Sequence, residues 1–598
     1  MHDNAPLQAS TRSAIVLIAL LQGLMLHAAD TGAGHWPFDG LGWRYGWNAW
    51  VLTIPTAITL SLLDLRQRIL WLHAGAASLL VLALALWLAW NLQGAEGLRG
   101  GALRIPFSIA LGIATFIMLP WWQVRLGTGR WRASYDALFE RAWQNGLTLA
   151  LAGLFTGLTW LLLWLWSALF ELLQISFFRE LFAEKAFISL ATGLLMGFGV
   201  LIGRTQHRAI QITRQVLFAV CRGLLPLLAV ITLLFVASLP FTGLDTLWST
   251  RSATFTLLAL SLLLIAFSNA VYQHDRDEPA YPRPLRWLVA ASLVALPLLS
   301  GLALYALGLR INQYGWTVER FWAALAAVLV AGYAFGYAAS ALARGGRWLW
   351  RLEPVNRWMC WVVLGSAVLA CSPVLDPVRI TLASQLARLR AEPSRIATAD
   401  VLVLRFDLGR RGVDALRALQ ADPAVRADTR ASSVVAQALK RRHRYEGSGM
   451  IDDGLRDLDQ IRARLPVAAG SASPPDSWWR ALQQREVQIV ECMGLDDEDC
   501  VVSTRDLDGD GRDEVLLCAL RSHGGPYCQV HAHATAGWWR VGSYHLAVDD
   551  GKAGAARANA ALREGKLQVE PPRWPALRLD GGAPATIDHL GQEPEPTP

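Results

Sequence analysis

The residues best suited to chemistry lie near the C-terminal end of a 598-residue chain, in Asp506-Leu-Asp508-Gly-Asp510-Gly511-Arg512-Asp513-Glu514. Oxygen donors at loop positions 1, 3 and 5 are what a hard cation such as calcium requires. Gly511, at position 6, permits the sharp turn. The carbonyl of Arg512 supplies position 7 and Glu514 position 9. Asp506, Asp508, Asp510, Arg512 and Glu514 are the expected ligands, with calcium as a structural cofactor. Position 12, where a bidentate Glu closes a helix–loop–helix site, is Leu517. The alternative is an acidic, glycine-rich turn that holds no ion. Loops of extracellular type bind calcium at about 10⁻⁴–10⁻³ M, so an ion here would brace a fold rather than signal.

The same region holds four of the seven cysteines: Cys492, Cys500, Cys518 and Cys528. Four cysteines in a small exported domain suit two disulfides. Val515–Leu520 and Tyr527–Ala532 read as strands around a turn at Ser522–Pro526, which would place Cys518 opposite Cys528. Cys492 and Cys500 could close a short loop over Gly494–Asp499. All three pairings remain open at this stage. There is no Cys-x-x-Cys, so zinc is disfavoured. His531 and His533 alternate on one strand face; we read them as exposed strand histidines rather than half of a ligand set. Cys221, Cys360 and Cys371 lie in apolar runs and read as small core residues.

The elements that must position this region follow from hydropathy. Hydrophobic residues make up 53% of the chain and mean hydropathy is +0.31, too apolar for one soluble domain of this length. The apolarity is concentrated in eleven runs near 13–29, 48–63, 69–90, 106–122, 143–173, 186–203, 217–237, 253–272, 286–307, 321–344 and 356–373. Each approaches the ~20 residues a helix needs to cross a bilayer. The second is short and holds Pro55; the fifth is long enough to tilt or to project. Loops alternate in basic content: one set, including Arg12 and the N-terminus, holds 17 Lys and Arg, the other 8. Basic residues are retained on the cytoplasmic side. The expectation is a cytoplasmic N-terminus and, after an odd number of spans, a periplasmic C-terminal region.

The fold class expected is mainly α: a polytopic helical membrane bundle of about 11 spans followed by a small α+β soluble domain. Residues 1–373 form the transmembrane domain, 374–474 a helical juxtamembrane region, 475–590 a small β-rich domain carrying the acidic loop, and 591–598 a disordered Pro- and Glu-rich tail. Residues 377–393 read as an amphipathic helix and Val401–Phe406 as a short strand. Segments near 412–421, 431–444, 453–465 and 476–486 read as helices, and Trp538–Val548 as a third meander strand.

No nucleophile elbow, P-loop, dinucleotide fingerprint or zinc-protease helix is present, and no nucleic-acid-binding motif. The net charge of +7 is read as a topology signal. Intramembrane charge, the usual mark of transport, is nearly absent. Glu171, Arg222, His27, Asn91, Asn269 and Tyr272 sit near run ends and read as interfacial anchors. Gly153, Gly157, Gly193, Gly197 and Gly203 offer small faces for helix packing.

Two stretches carry a resemblance. Asn312-Gln-Tyr314-Gly315-Trp-Thr317-Val-Glu-Arg320-Phe-Trp322 opens the tenth run. Ser372-Pro373-Val-Leu-Asp376-Pro377 leads into Ser384-Gln385-Leu-Ala-Arg388-Leu389. With the spans upstream they resemble the bacterial membrane family with domain of unknown function 4153, over roughly residues 10–420. The resemblance implies a bacterial inner-membrane protein and supplies no activity or catalytic residues. Read physically, Thr317 caps a helix whose first turn holds Glu319. The acidic loop is similar to the calcium loops of FG-GAP repeats; one copy does not make a propeller.

Together these readings favour a non-enzymatic inner-membrane protein, anchored in the lipid bilayer. It would present a periplasmic domain, stabilised by calcium and disulfides, to a protein partner in envelope assembly or sensing. The alternative is a transporter or channel for a lipid or small solute.

Overall fold

The computed structural model describes residues 7–93, 101–243, 253–274, 281–343, 348–391, 396, 401–441, 458–484, 500–521, 525–534, 537–546 and 551–569. Cys492 with the loop to Asp499, the turn at 522–524 and the segment 591–598 lie outside them. The chain divides into two compact units, Met1–His443 and Arg444–Pro598.

In the first unit each of the eleven apolar runs falls on one helix. These are α1 (Ala9–Thr31), α2 (Leu41–Ser61), α3 (Arg68–Leu92), α4 (Gly101–Thr128), α5 (Tyr135–Glu171), α7 (Lys185–Thr205), α8 (His207–Thr242), α9 (Ala253–His274), α10 (Arg283–Tyr314), α11 (Val318–Leu342) and α12 (Leu352–Ala370). A short α6 (Phe177–Ala183) links α5 to α7. By length and composition, nine of these helices among the described residues are long and apolar enough to cross a membrane. The two that fall short are α2 and α12. The first carries Arg44, Asn48 and four threonine or serine residues; the second opens on Glu353, Asn356 and Arg357. Helices α5 and α8 run to 37 and 36 residues. At 1.5 Å per residue each is about 55 Å long, well beyond the ~30 Å hydrocarbon layer.

Helix α2 shows how polar backbone is handled inside this unit. Pro55 has no N–H, so the carbonyl of Val51 loses its helical partner. Gln22 of α1 fills the gap: its Nε2 donates to Val51 O at 3.0 Å and to Thr56 Oγ1 at 3.1 Å. The helix then ends among buried residues, Thr59 to Leu62. Its free carbonyls meet side chains from three neighbours. Arg204 Nη1 donates to Thr59 O (2.7 Å), Gln123 Nε2 to Leu60 O (3.1 Å) and Thr11 Oγ1 to Leu63 O (3.1 Å). Gln123 also exchanges two 3.0 Å hydrogen bonds with Asn145. A helix end without water must be satisfied in this way.

Small residues bring helices together, though not all those expected. A Cβ on Gly193 would lie 2.6 Å from Ala19 O, one on Gly197 2.8 Å from Ala19 Cβ, and one on Gly203 2.7 Å from Thr148 Cγ2. These glycines hold α7 against α1 and α5. Gly153 and Gly157 have nothing within 4 Å and pack no helix among the described residues. Asn269, read as an interfacial anchor, belongs instead to a network joining four helices. Tyr135 Oη donates to Asn269 Oδ1 (2.6 Å), Asn356 Nδ2 to Tyr135 Oη and Asn269 Oδ1 (2.9 and 3.0 Å), and Tyr337 Oη to Asn356 Oδ1 (3.0 Å).

Beyond α12 come α13 (Pro377–Ala391), α14 (Leu402–Phe406), α15 (Gly409–Ala421), α16 (Pro423–Ala427) and α17 (Thr429–Lys440). The segment Val401–Phe406, expected as a strand, is a short helix. Its apolar content suits either state, and it buries Leu404 and Phe406 as a helix. Val378, Leu404, Leu416 and Val434 share one core with Leu88 and Leu92 of α3. These helices therefore belong to the first unit.

The second unit has α18 (Leu458–Arg464), α19 (Asp476–Gln484), strands β1 (Cys500–Arg505), β2 (Glu514–Ala519), β3 (Tyr527–Ala534) and β4 (Gly537–His545), and α20 (Gly551–Arg563). The sheet is antiparallel in the order β1-β2-β3-β4. Both its faces are covered: Trp478, Trp479, Val502, Val515 and Leu517 pack on one side, and Val501, Leu516, Cys518, Cys528 and Leu562 on the other. Hence β2 is buried along its whole length, with no polar alternation. The sequence reading missed β1 and α20; the latter follows the strands rather than preceding them.

Candidate metal-binding loop and its surroundings

Strands β1 and β2 pair from Cys500–Ala519 down to Arg505–Glu514, so residues 506–513 close the hairpin. Gly509 and Gly511 adopt φ of +77° and +85°, the left-handed region that favours glycine. They turn the chain so that its amides meet its own carboxylates. Asp506 accepts from Gly509 N at Oδ1 (2.7 Å) and from Gly511 N at Oδ2 (3.0 Å). Asp508 Oδ1 accepts from Asp510 N (3.1 Å), Asp510 Oδ1 from Arg512 N (2.7 Å), and Glu514 Oε2 from Leu507 N (2.8 Å).

Among the described residues, Asp506, Asp508 and Glu514 each offer an oxygen within 4.8 Å of the others. The two aspartates are exposed, while Glu514, at the start of β2, is buried. Each carboxylate keeps lone pairs after its amide bonds, because two oxygens offer about four acceptor sites. This donor set, all oxygen and anionic, fits a hard cation rather than a soft one. Asp510 is turned to the Arg512 amide and is not part of the trio. The loop backbone is thus arranged by the carboxylates themselves.

Behind the loop, Cys518 and Cys528 face each other across β2 and β3 and form a disulfide, with S–S 2.08 Å and Cα–Cα 3.9 Å. Cys500 is disulfide-bonded as well. Cys221, Cys360 and Cys371 of the first unit carry free thiols.

His531, expected to be exposed, is fully buried. Its Nδ1 accepts from Trp478 Nε1 at 3.2 Å, which places the ring proton on Nε2, and Nε2 has no partner. Burial, and the Arg540 cation beside it, push its pKa down to about 4. A neutral imidazole enclosed by Trp478 is a core residue. His533 is exposed, with its ring 5.2 Å from that of Trp538. The only hint in the sequence was Trp478-Trp479, whose bulk must be covered by something on the sheet.

In the first unit the two stretches that carry the family resemblance lock onto each other. Arg388 of α13 donates from Nη1 to Asn312 O (3.0 Å) and from Nη2 to Gln313 O (2.6 Å). Gln385 Nε2 donates to Trp316 O (2.8 Å) and Tyr314 O (3.2 Å), and Ser384 Oγ accepts from Trp316 N (3.1 Å). Gly315 sits at φ +77°, and a Cβ there would lie 2.9 Å from Gln385 Nε2. Thr317 caps α11 by accepting from Arg320 N (3.2 Å), and Arg320 Nη1 returns to Gly315 O (2.8 Å). Asp376 is almost wholly buried, accepts from Val378 N (2.9 Å) and pairs with Arg411 of α15, whose guanidinium lies over Trp87 and Trp90. The turn before α11, helix α13 with the Asp376 turn before it, Arg411 of α15 and the end of α3 therefore form one joint.

No curated protein and no solved structure matches the chain significantly. The model of one family, described as a domain of unknown function (DUF4153), matches residues 49–419, which include the whole of that joint and end before the acidic loop. With more than half of its length matched, and with the helices of a membrane protein, the chain belongs to the DUF4153 family.

Proposed function

We propose that this is a bacterial inner-membrane protein whose second unit stands in the periplasm, braced by disulfides and calcium, where it binds a protein partner in envelope assembly or sensing. The observation that carries the reading is the partition of cysteines. Cys500, Cys518 and Cys528 of the second unit are bonded, whereas the three cysteines of the first unit are free. Disulfides persist in oxidising compartments such as the periplasm and are rare in the cytosol. The 17-to-8 bias of Lys and Arg between alternate loops supports the same orientation. That bias is counted with all eleven long helices crossing, so the orientation requires α2 and α12 to cross beside the nine that are long and apolar enough by composition.

The calcium part rests on the three convergent carboxylates and the two left-handed glycines of the 506–514 loop. With calcium bound, Asp506, Asp508 and Glu514 would hold the ion, and the β1–β2 hairpin would be pinned at its loop end. The absence of catalytic motifs in the sequence makes binding the preferred activity. Orientation is tested by joining alkaline phosphatase after Pro598 in one strain and a cytoplasm-dependent fluorescent protein in another. Phosphatase activity without fluorescence is the expected result; fluorescence without activity rejects the orientation.

A further inference from the structure

A second feature lies in the first unit, between α2 and α3. Gly42 and Gly46 let α2 press onto Ala85 and Ala89: a Cβ on Gly42 would lie 2.5 Å from Ala89 Cα, and one on Gly46 3.3 Å from Ala85 Cβ. The close approach leaves an open cavity of about 170 Å³ alongside these four residues, walled by Trp43 and Leu86 among others. Every lining residue is apolar, glycine or tryptophan, and the indole N–H of Trp47 is already spent on Met25 O at 2.8 Å. The surface lining the groove is almost wholly apolar. An apolar space of roughly 150 Å³ is enough for a benzene-sized hydrocarbon.

We propose that this groove seats a length of one phospholipid acyl chain, as a retained lipid distinct from the lipid that coats the rest of the bundle. Three observations identify the occupant. Helix α3 is long and apolar enough to cross the membrane. Its wall residue Leu86 belongs to a stripe, Leu72-Leu79-Leu82-Leu86, that is exposed along its length and repeats at helical spacing, so the groove opens onto the surface that faces the bilayer. Arg44 follows Trp43 in the first turns of α2, where its charge complements a lipid phosphate, and exposed Trp36 and Trp43 are side chains that favour the membrane–water interface. A flat helix face would meet lipids only in passing. A trough floored by glycine and alanine surrounds a chain on several sides and gains dispersion contacts that a flat face lacks.

The test uses the full chain in nanodiscs of phosphatidylethanolamine and phosphatidylglycerol containing a trace of phospholipid with a diazirine in its acyl chain. After irradiation, adducts are mapped by mass spectrometry. Exposed Leu154 and Leu158 of α5 serve as the benchmark for coating lipid. Adducts on Trp43, Leu82 and Leu86 several-fold above that benchmark are expected. Gly46→Leu should remove the excess by filling the floor. Because that change also strains the α2–α3 contact, Leu86→Phe, an exposed position that fills the groove from its rim, should remove it too. Adducts at the benchmark level, an excess that survives Leu86→Phe, or a protein chain crosslinked in place of lipid would each overturn the proposal.

Discussion

At the scale of single residues, His531 and Asp508 carry predictions of opposite kinds. His531 is neutral and enclosed, with a folded pKa near 4 against an ordinary 6.5. The unfolded chain therefore binds more protons between those values, and stability rises with pH across that window. Stability from this group is complete above pH 6.5 and is lost as pH falls toward 4. The full shift is worth about 3 kcal/mol. Protection factors of the β2 and β3 amides in the full-length protein, corrected for the intrinsic exchange rate at each pH, should fall between pH 7 and pH 4.5, and His531→Gln should flatten that dependence. Asp508 is exposed and contributes nothing to the core. Asp508→Ala should leave exchange of the sheet unchanged in chelator, yet abolish the protection that millimolar calcium confers on residues 500–519. Protection by calcium that survives this substitution, or no protection in the parent chain, would remove the ion from the account.

At the scale of elements, the buried end of α2 and the β2–β3 hairpin make the clearest cases. Gln123 satisfies Leu60 O and both halves of Asn145 at once. Gln123→Leu strands these groups where water does not reach, at a cost of about 1–3 kcal/mol for each unsatisfied group. Thermal unfolding in detergent should shift down by several degrees, whereas Leu158→Ala on the exposed, lipid-facing side of α5 should leave it nearly unchanged. In the hairpin, the Cys518–Cys528 bridge spans a sequence separation of 10. A loop of that size loses about 3 kcal/mol of unfolded-chain entropy when closed. Cys518→Ser paired with Cys528→Ser should lower the denaturant midpoint of the second unit accordingly, while the free thiol Cys360 can be replaced by Ala with little effect. The short helix at Leu402–Phe406 belongs to this scale as well. A five-residue apolar run does not declare its state, and here the neighbouring helices decided it.

At the scale of the whole molecule, the first unit runs past the last apolar run, to His443. The matched residues end at 419, within α15 and past the last apolar run, and the contacts of α13 to α17 place those helices in the membrane unit. The motif residues explain why. Arg388, Gln385 and Ser384 fasten α13 to the turn before α11, and Asp376–Arg411 fastens α15 beside α3. Arg388→Ala would free the carbonyls of Asn312 and Gln313 and should loosen this joint. The expected readout is new protease cleavage after 391 in membrane vesicles, with α5 and α8 still protected. Cleavage unchanged from the parent would show that the apolar core alone holds α13 to α17.

By itself the sequence determined a polytopic helical membrane protein, the places of its eleven long helices, the Cys518–Cys528 register and the acidic turn. Each follows from local chemistry: apolar runs of fixed length, a symmetric hairpin, and carboxylates spaced around glycines. Tertiary structure alone decided the rest. It buried His531 beneath Trp478, gathered Asp506, Asp508 and Glu514 but not Asp510, drew Asn269 into a four-helix network, and ended α2 among side chains of α1, α4 and α7. Those outcomes depend on which distant residues meet, and a periodicity or a spacing reports only on neighbours along the chain.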